Sequence, residues 1–268
     1  MGRIISVNHA HVFPESVRPE GSVQGLLRIM DECGIAQAVC FAPFPGQVPE
    51  GTDRNEWLRD EIRGNDRLRG FGTVDFAAGD IAGQVKKIKD LGFAGIKVHP
   101  AYQKVKVDGE ECFAMYEAAQ QEDLFLSFHT GIHWYRISQY NLLLFDEVAW
   151  HFPKLRFSME HVGGYCFFNE AVAVMLNNGR GGKSNVFAGL TSVFDREMNK
   201  FWYQSDERIK DLIWLTGEKN SIFGLDYPYN QKERIAEAIA HVEGMDIPES
   251  AKDAILGGNL RRELEWEA

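Results

Sequence analysis

The chain contains 268 residues, 44% of them hydrophobic and 25% charged, which is the composition of an ordinary globular protein. Its formal net charge of -10, from 29 basic and 39 acidic residues, argues against a nucleic-acid-binding protein, because phosphate backbones are bound mainly by basic side chains. Its first residues show no sustained apolar core followed by a small-residue cleavage site, and no window approaches the roughly 18 apolar residues of a membrane span, so we expect neither secretion nor membrane insertion. We therefore expect a cytoplasmic protein that binds neither nucleic acid nor membrane.

Four cysteines, Cys33, Cys40, Cys112 and Cys166, are widely separated along the chain. No two of them have the close spacing that is typical of a zinc knuckle or a redox motif. The sequence predicts reduced thiols.

Short runs rich in β-branched and aromatic residues alternate with longer stretches of helical period along the whole chain. The predicted strands cover residues 3–11, 37–42, 69–75, 95–99, 125–129, 156–161, 186–191 and 221–226. The predicted helices cover residues 22–33, 54–63, 80–91, 110–121, 139–152, 168–177, 197–215, 231–242 and 249–267. Ser22 stands where an N-cap is favoured and Gly34 where a left-handed residue would end the helix, which supports the first of these helices.

Eight units of strand and helix in about 250 residues match the size and period of a (β/α)8 TIM barrel, so we predict an α/β fold with a single domain over residues 1–268. An open, doubly wound sheet is the alternative that strand count alone leaves open. The first turn from strand to helix, "HAHVFPESVRPEG", has no glycine-rich phosphate-binding pattern, so a dinucleotide site is not expected there. The glycine-rich segment 177–185 is expected to form a flexible turn away from the carboxyl ends of the strands.

Histidines collect at the carboxyl ends of the predicted strands, where a barrel gathers its chemistry. His9 and His11 are one residue apart on strand 1, and the period of two in a strand sends both side chains to the same face. Strands 4, 5 and 6 also end in histidines, and strand 8 ends in an acidic residue; these are His99, His129, His161 and Asp226. A carboxylate at such a position is costly to bury unless it is paired or bound to a cation.

One divalent cation would explain this pattern, because zinc binds imidazole nitrogens and carboxylate oxygens and keeps a position open for water. We expect His9, His11, His129 and Asp226 to surround a single ion, Zn²⁺ in the first place, with Mn²⁺ or Fe²⁺ as alternatives. His161 is then free to polarise or deprotonate the bound water. The competing interpretations are hydrogen-bonded core histidines and, for Asp226, a helix cap.

Motifs at four strand ends, together with the closing segment, resemble the amidohydrolase superfamily and, more narrowly, its amidohydrolase 2 branch of metal-dependent hydrolases and related decarboxylases. They are "NHAH", "LSFHTG", "SMEHVGG", "FGLDYP" and "ILGGNLRREL". The resemblance covers essentially the whole chain. It implies that His9, His11 and His129 are metal ligands, that Asp226 is a ligand or a proton shuttle, and that His161 is a second acid/base group.

Two positions need comment beside this resemblance. Glu160 stands before His161, where the family often has a small apolar residue, and we expect its side chain to point away from the barrel interior. In binuclear relatives a lysine of strand 4 is carbamylated and bridges two metals. Lys97 would have to lie in the top layer of the barrel to do so, and the branch usually holds one metal.

Substrate contacts are expected from the loops that follow the strands. Arg136 is the best cationic candidate for a substrate carboxylate, because its guanidinium can bind one in bidentate fashion. His99, His133 and Tyr227 are weaker candidates. Other loop aromatics suggest a pocket with aromatic walls, although such residues also pack over barrel rims.

The favoured function is a metal-dependent hydrolase that uses metal-activated water on a small substrate with an amide, lactone or ester bond. In it Asp226 and His161 move protons. The first alternative is a metal-dependent decarboxylase of a small aromatic or unsaturated acid, which would be expected to place a second basic residue near Arg136. The second is a catalytically silent barrel that binds a ligand. The sequence identifies neither the substrate nor the oligomeric state, and a homo-oligomer is compatible with it.

Overall fold

The computed structural model describes residues 2–179 and 184–267, and eight parallel strands close into a barrel in which each strand pairs with the next and β8 pairs with β1. The strands are β1 Ile5–His11, β2 Ile35–Phe41, β3 Leu68–Gly72, β4 Gly95–Val98, β5 Phe125–His129, β6 Phe157–Glu160, β7 Val186–Thr191 and β8 Ser221–Tyr227. The predicted (β/α)8 barrel is confirmed, and the open-sheet alternative is wrong. Of the turn predicted at 177–185, residues 180–183 lie outside the described part of the chain.

Helices surround the barrel and connect successive strands. They are α1 Val23–Glu32, α2 Arg54–Ile62, α3 Ile81–Asp90, α4 Pro100–Gln103, α5 Glu110–Gln121, α6 Leu144–His151, α7 Gly164–Asn177, α8 Asp206–Thr216, α9 Lys232–Gly244, α10 Glu249–Asp253 and α11 Asn259–Glu263. The Ser22 side chain accepts a hydrogen bond from the backbone N–H of Gly25 at 3.2 Å, which confirms the predicted N-cap of α1.

The helix predicted at 168–177 begins four residues earlier, at Gly164, and three other predicted helices differ more strongly from the observed ones. The helix predicted at 139–152 begins with a separate 3-10 turn, Ile137–Gln139, before α6. The helix predicted at 197–215 begins only at Asp206, because Ser205 caps α8 by accepting from the backbone N–H of Arg208. The helix predicted at 249–267 is interrupted by a π-helical turn, where Gly257 has φ of 159° and any Cβ would press on the backbone of the first strand.

Aromatic rings fill the barrel interior below the histidines. Phe41, Phe71, Phe125 and Phe187 come from four different strands, and neighbouring ring centroids lie 5.8, 6.1 and 5.6 Å apart. Three residues of the C-terminal segment pack in the same cluster; they are Leu260, Leu264 and Trp266. The amino end of the barrel is therefore closed largely by apolar packing, and the histidines lie at the carboxyl end.

Two further predictions can be compared with the structure. The four cysteines are unpaired thiols, as expected from their spacing. Within the described residues, no helix combines the length and the apolar character that a membrane-spanning segment requires.

Candidate metal centre

Left-handed backbone conformations occur at several strand ends, where they are uncommon for residues other than glycine. The φ angle is 68° at His9, 63° at His161, 57° at Ser192 and 57° at Asp226. Each such residue costs about 1–3 kcal/mol and persists only where its surroundings hold it in place. The concentration of this strain at one end of the barrel marks that end as a functional site.

The strained residue in β1 changes which side chains face inward. Asn8 and His9 both point into the barrel, because the left-handed conformation of His9 interrupts the alternation of the strand. His11 also faces inward, and its ring centroid lies 5.0 Å from that of His9. The expected common face of the two histidines is confirmed, although by a bulge and not by strict alternation.

Three of the four predicted ligands come together. One ligand atom each from His9, His11 and Asp226 lies within 4.8 Å of the other two. Asp226 Oδ1 is 3.5 Å from His9 Nε2 and 3.9 Å from His11 Nε2. These donors come from β1 and β8, the two strands that close the barrel, and they are of the types that Zn²⁺, Mn²⁺ and Fe²⁺ accept.

The other nitrogen of His9 contacts Glu160, and the predicted outward orientation of the Glu160 side chain is wrong. Glu160 is 0% exposed and points into the barrel, where its Oε2 lies 3.0 Å from His9 Nδ1. Ser158 and Glu160 follow the inward alternation of β6, and His161 also turns inward because its backbone is left-handed. Two consecutive residues therefore face the interior.

The fourth predicted ligand, His129, lies outside the three-residue group within the described part of the chain. Its Nε2 is 2.8 Å from the carbonyl oxygen of Gly131, and its Nδ1 is 3.2 Å from His161 Nε2. His161 Nδ1 in turn is 2.8 Å from the carbonyl oxygen of Thr191. Ligation by His129 stays a prediction.

The hydrogen-bond pattern of this histidine pair fits a nearby cation. Each ring has one nitrogen beside a carbonyl oxygen, which only accepts, so that nitrogen carries the proton in a neutral ring. The lone pairs of His129 Nδ1 and His161 Nε2 then face one another at 3.2 Å. A positive ion beside these nitrogens relieves this repulsion, so the donor set of the site is compatible with a metal.

Burial keeps the histidines neutral, as metal ligands must be. Burial lowers the pKa of His9, His11, His99 and His129 well below the usual value, and the positive charge of Lys97 lowers it further. Burial also lowers the pKa of His161 to about 3. Burial acts on Asp226 in the opposite sense and raises the pKa of its carboxyl to about 6.

Lys97 lies directly beside this centre. Its side chain is completely buried, its Nζ is 3.4 Å from His9 Nε2 and 4.9 Å from the centroid of Phe41, and burial lowers its pKa to about 8. The lysine thus faces the interior at the level of His9, which satisfies the positional condition for carbamylation. The modification itself stays untested.

A cavity of about 300 Å³ opens beside the centre. It is lined by His11, Phe13, Phe44, Gln47, His99, Tyr102, His129, His133, Tyr135, Asn199, Trp202, Asp226, Tyr229, Asn230 and Arg234. His99 and His133, two of the predicted substrate contacts, lie in this wall. His99 also stacks on His129, with ring centroids 3.9 Å apart. The predicted pocket with aromatic walls is present.

Two predicted substrate residues lie elsewhere. Arg136 is exposed on the loop after β5 and does not line the cavity. Tyr227 points outward from β8, because Asp226 before it points inward, and its hydroxyl lies 2.8 Å from the carbonyl oxygens of Glu20 and Ser22. The cavity instead contains Tyr229 and Arg234.

Residues that the sequence did not predict hold the catalytic candidates in place. Trp202 stacks on His161 with ring centroids 4.0 Å apart, and it lies in a segment that was predicted to be helical. Ser192 donates a hydrogen bond to Asp226 Oδ2 at 3.0 Å and accepts one from Asn230 at 2.8 Å. No spacing rule would have identified Trp202, since it reaches the site from a loop.

A comparison with protein-family models identifies the family to which this chain belongs. The model of the amidohydrolase 2 family, described as amidohydrolase, matches residues 9–264. The chain belongs to this family. The match includes every strand from the histidines of β1 to the aspartate of β8, so the resemblance noted from the motifs is confirmed.

Individual relatives are distant. The 2-amino-3-carboxymuconate-6-semialdehyde decarboxylase of Dictyostelium discoideum is 24% identical over 196 residues, which cover 64% of this chain and 53% of that protein. The chain therefore spans about half the length of this curated relative.

Solved structures of two family-like proteins show the same fold. One is a dihydroxybenzoic acid decarboxylase from Polaromonas sp. JS666 with bound manganese and the inhibitor 2-nitroresorcinol, 15% identical, with a TM-score of 0.72 over 98% of this chain and 97% of that chain. The other, from Pseudomonas putida, is named as a candidate 2-pyrone-4,6-dicarboxylic acid hydrolase and is 16% identical, with a TM-score of 0.72 over 100% of both chains. At these identities the likeness shows the fold alone.

Proposed function

We propose that this chain is a metal-dependent decarboxylase of a small aromatic or unsaturated carboxylic acid. The observation that carries the proposal is the convergence of His9, His11 and Asp226 beside a cavity with aromatic walls. The names of the relatives support decarboxylation over hydrolysis, because two of the three compared proteins are named as decarboxylases. The decarboxylase thus replaces the hydrolase as the favoured function.

The proposed reaction breaks the bond between the carboxylate carbon and the neighbouring ring or vinyl carbon. Carbon dioxide leaves, and the remaining carbon keeps the electron pair and takes a proton. A bound divalent cation would act as a Lewis acid on the carboxylate and a neighbouring hydroxyl or carbonyl oxygen of the substrate. His9, His11 and Asp226 would hold this cation, with His129 as the further ligand.

Proton transfer is assigned to Asp226 and His161. Asp226 Oδ1 lies 3.5 Å from His9 Nε2 at the metal centre, where its carboxylate would hold the cation and could accept a proton beside it. His161 is neutral and is held by Thr191 and Trp202, so its Nε2 has a fixed direction. Both groups lie beside His9: Asp226 Oδ1 is 3.5 Å from His9 Nε2, and the ring centroid of His161 is 5.2 Å from that of His9.

The cavity supports a substrate with one ring and an acidic group. Phe44, Tyr102 and Tyr135 provide flat apolar walls, and 300 Å³ is the lower end of the range for ligand pockets. Arg234 provides the cationic group that Arg136 does not. Its nearest carboxylate is that of Asp195, at 4.0 Å, so the guanidinium is only loosely paired and is available to a second carboxylate of the substrate.

The test combines elemental analysis of the purified protein with a carbon dioxide assay. Protein loaded with Mn²⁺ or Zn²⁺ is incubated with a panel of hydroxybenzoates and muconate-type acids, and released carbon dioxide is measured against loss of substrate. We expect stoichiometric release that stops on chelation and in the Asp226→Asn variant. Lack of release from every acid by folded, metal-loaded protein would reject the proposal.

Hydrolysis is the second candidate, favoured by the structural likeness to the candidate hydrolase from Pseudomonas putida. The same site would then direct a metal-activated water at an ester, lactone or amide carbon. A parallel panel of such substrates separates the two reactions. A protein that binds none of these metals would instead support the silent-barrel alternative.

A further inference from the structure

The carboxylate of Glu160 is the most heavily hydrogen-bonded group in the described barrel interior, and the proposed reaction gives it no role. Its side chain has no solvent exposure. Donors from β1, β5, β6 and β7 surround it; they are Asn8, His9, Ser127, Ser158 and Thr191. A buried carboxylate with five donors is an acceptor whose position is fixed from all sides.

The contact with His9 determines where that ring carries its proton. An ionised carboxylate only accepts hydrogen bonds, so His9 Nδ1, 3.0 Å from Glu160 Oε2, must donate. In a neutral imidazole the proton on Nδ1 leaves a lone pair on Nε2. That nitrogen is the one that faces Asp226 Oδ1 at 3.5 Å within the candidate metal centre.

The position of Lys97 supports the same assignment independently. Its Nζ lies 3.4 Å from His9 Nε2. An ammonium group only donates, so this approach requires a lone pair on Nε2. Glu160 and Lys97, on opposite nitrogens of the His9 ring, thus both favour the Nδ1–H tautomer.

We propose that Glu160 is a positioning residue that fixes His9 in the Nδ1–H tautomer and thereby creates the metal-binding lone pair at Nε2. This inference rests on the proposed function insofar as a metal is bound there. Carboxylates that accept from the second nitrogen of a ligating histidine orient the ring and raise its basicity. Here the carboxylate reaches from β6 across the interior to β1, so it couples distant strands to one ligand.

The fold makes room for this carboxylate with a glycine. A Cβ built at Gly189 on β7 would collide with the Oε2 atom of Glu160, so this position admits no side chain while Glu160 keeps its orientation. The five hydrogen bonds also tie strands together, and a merely structural role for Glu160 is therefore the competing explanation. The two explanations differ in metal affinity and in the His9 tautomer.

The experiment uses the full chain as parent, Glu160→Gln and the matched control Glu263→Gln. Glu263 is another largely buried glutamate, and it contacts Arg262 at the other end of the barrel. Affinity for Mn²⁺ and Zn²⁺ is measured by titration of chelator-treated protein, and the His9 tautomer is read from ¹⁵N shifts of the metal-free protein. Circular dichroism and thermal unfolding report whether each variant is folded.

We expect Glu160→Gln to weaken metal affinity about 10- to 100-fold and to populate the Nε2–H tautomer of His9. The reason is that an amide NH₂ group, which donates, replaces one carboxylate oxygen, and the negative charge is lost. Glu263→Gln should retain parental values in both measurements. If Glu160→Gln does not fold, Glu160→Asp replaces it, because it keeps the charge while withdrawing the oxygens by one methylene. The same loss of affinity is expected.

The outcomes separate this inference from the proposed function. If the parent protein binds metal but its His9 carries the proton on Nε2, the role of Glu160 is overturned and the proposed function still stands. Undiminished affinity in a folded Glu160 variant does the same. A parent protein that binds no metal overturns both, and equal weakening in Glu263→Gln reduces Glu160 to a structural residue.

Discussion

His9 and Asp226 are far apart in the sequence, yet His9 Nε2 lies 3.5 Å from Asp226 Oδ1. They meet because β1 and β8 pair in parallel and close the barrel. Each has a left-handed backbone, with φ of 68° and 57°, and each directs its side chain inward at the seam between these strands. The candidate metal centre is therefore formed by barrel closure itself.

Removing the carboxylate of this pair should remove the metal. We expect Asp226→Asn to weaken metal affinity by more than the roughly 10- to 100-fold that loss of an outer partner costs, because the amide brings no charge to the ion. Carbon dioxide release should fall in parallel. Asp206→Asn, which affects an aspartate paired with His241, is the control; equal metal binding in both variants would contradict the assignment.

His129 and His161 should separate metal binding from turnover. We expect His129→Ala to lose metal and activity together, whereas His161→Ala should keep its metal and lose about 10²- to 10⁴-fold in kcat, as expected for an acid/base group. Elemental analysis and single-turnover kinetics on both variants test this. Full metal occupancy and full rate in His129→Ala would remove His129 from the ligand set.

Tyr227 and Tyr229 should have opposite roles. Tyr227→Phe loses the hydroxyl that bonds to the backbone before α1, so we expect stability to fall by about 1–3 kcal/mol with an unchanged KM. Tyr229→Ala removes part of the cavity wall and should raise KM by up to about tenfold. Urea denaturation and steady-state kinetics are measured on both. A raised KM in Tyr227→Phe would return that residue to the site.

Gly224 should resist substitution for steric reasons. A Cβ there would collide with Thr191 Oγ1 and lie 3.1 Å from His9 Cβ, so we expect Gly224→Ala to cost about 1–3 kcal/mol of unfolding free energy. Gly244, at the end of α9, has nothing within 4 Å of such a Cβ. Gly244→Ala should stabilise by about 0.5–1 kcal/mol. Equal shifts of the urea denaturation midpoint in Gly224→Ala and Gly244→Ala would contradict the steric argument.

Asp53 should contribute a pH-dependent part of the stability. Burial alone would raise the pKa of its carboxyl, but the hydrogen bonds from Lys87 and from the backbone N–H groups of α2 outweigh burial and lower it below the reference value of 3.8. The ionised carboxylate therefore stabilises the folded chain above pH 3.8, and this contribution is lost as the pH falls through the lowered pKa.

Two substitutions divide the contribution of Asp53. Asp53→Asn keeps an N-cap oxygen and loses the charge, so we expect a cost below about 1 kcal/mol at neutral pH. Asp53→Ala loses both and should cost about 1 kcal/mol or more. Urea midpoints measured from neutral to acidic pH should converge for parent and Asp53→Asn. A difference between the two urea midpoints that stays constant across this pH range would contradict the expected loss of stabilisation at acidic pH.

Periodicity predicted the barrel well because the strands bury both faces and the helices have local caps. The same rule failed at the site, where the backbone departs from regular geometry. On β6, regular alternation places Ser158 and Glu160 inward, whereas an inward His161 on a regular strand would require Glu160 to point outward. The left-handed backbone at His161 lets the side chains of Glu160 and His161 both face inward, and a periodic sequence pattern does not reveal a left-handed residue.

Two cavity residues away from the strand ends could not be predicted, for a different reason. Trp202 and Arg234 reach the cavity through the packing of the segments that follow β7 and β8, which depends on tertiary contacts. The prediction that Tyr227 contacts the substrate could have been avoided from the sequence, because a strand that directs Asp226 inward directs the next side chain outward. The Ser158–Glu160 spacing was likewise available and would have identified the buried carboxylate.

The packing of Leu260, Leu264 and Trp266 against the phenylalanine rings has a consequence for biosynthesis. Translation produces all eight strands before it produces the residues that seal the amino end of the barrel. A nascent chain at that stage presents aromatic surface to water, and this is the stage at which we expect it to be most prone to aggregation and most dependent on chaperones.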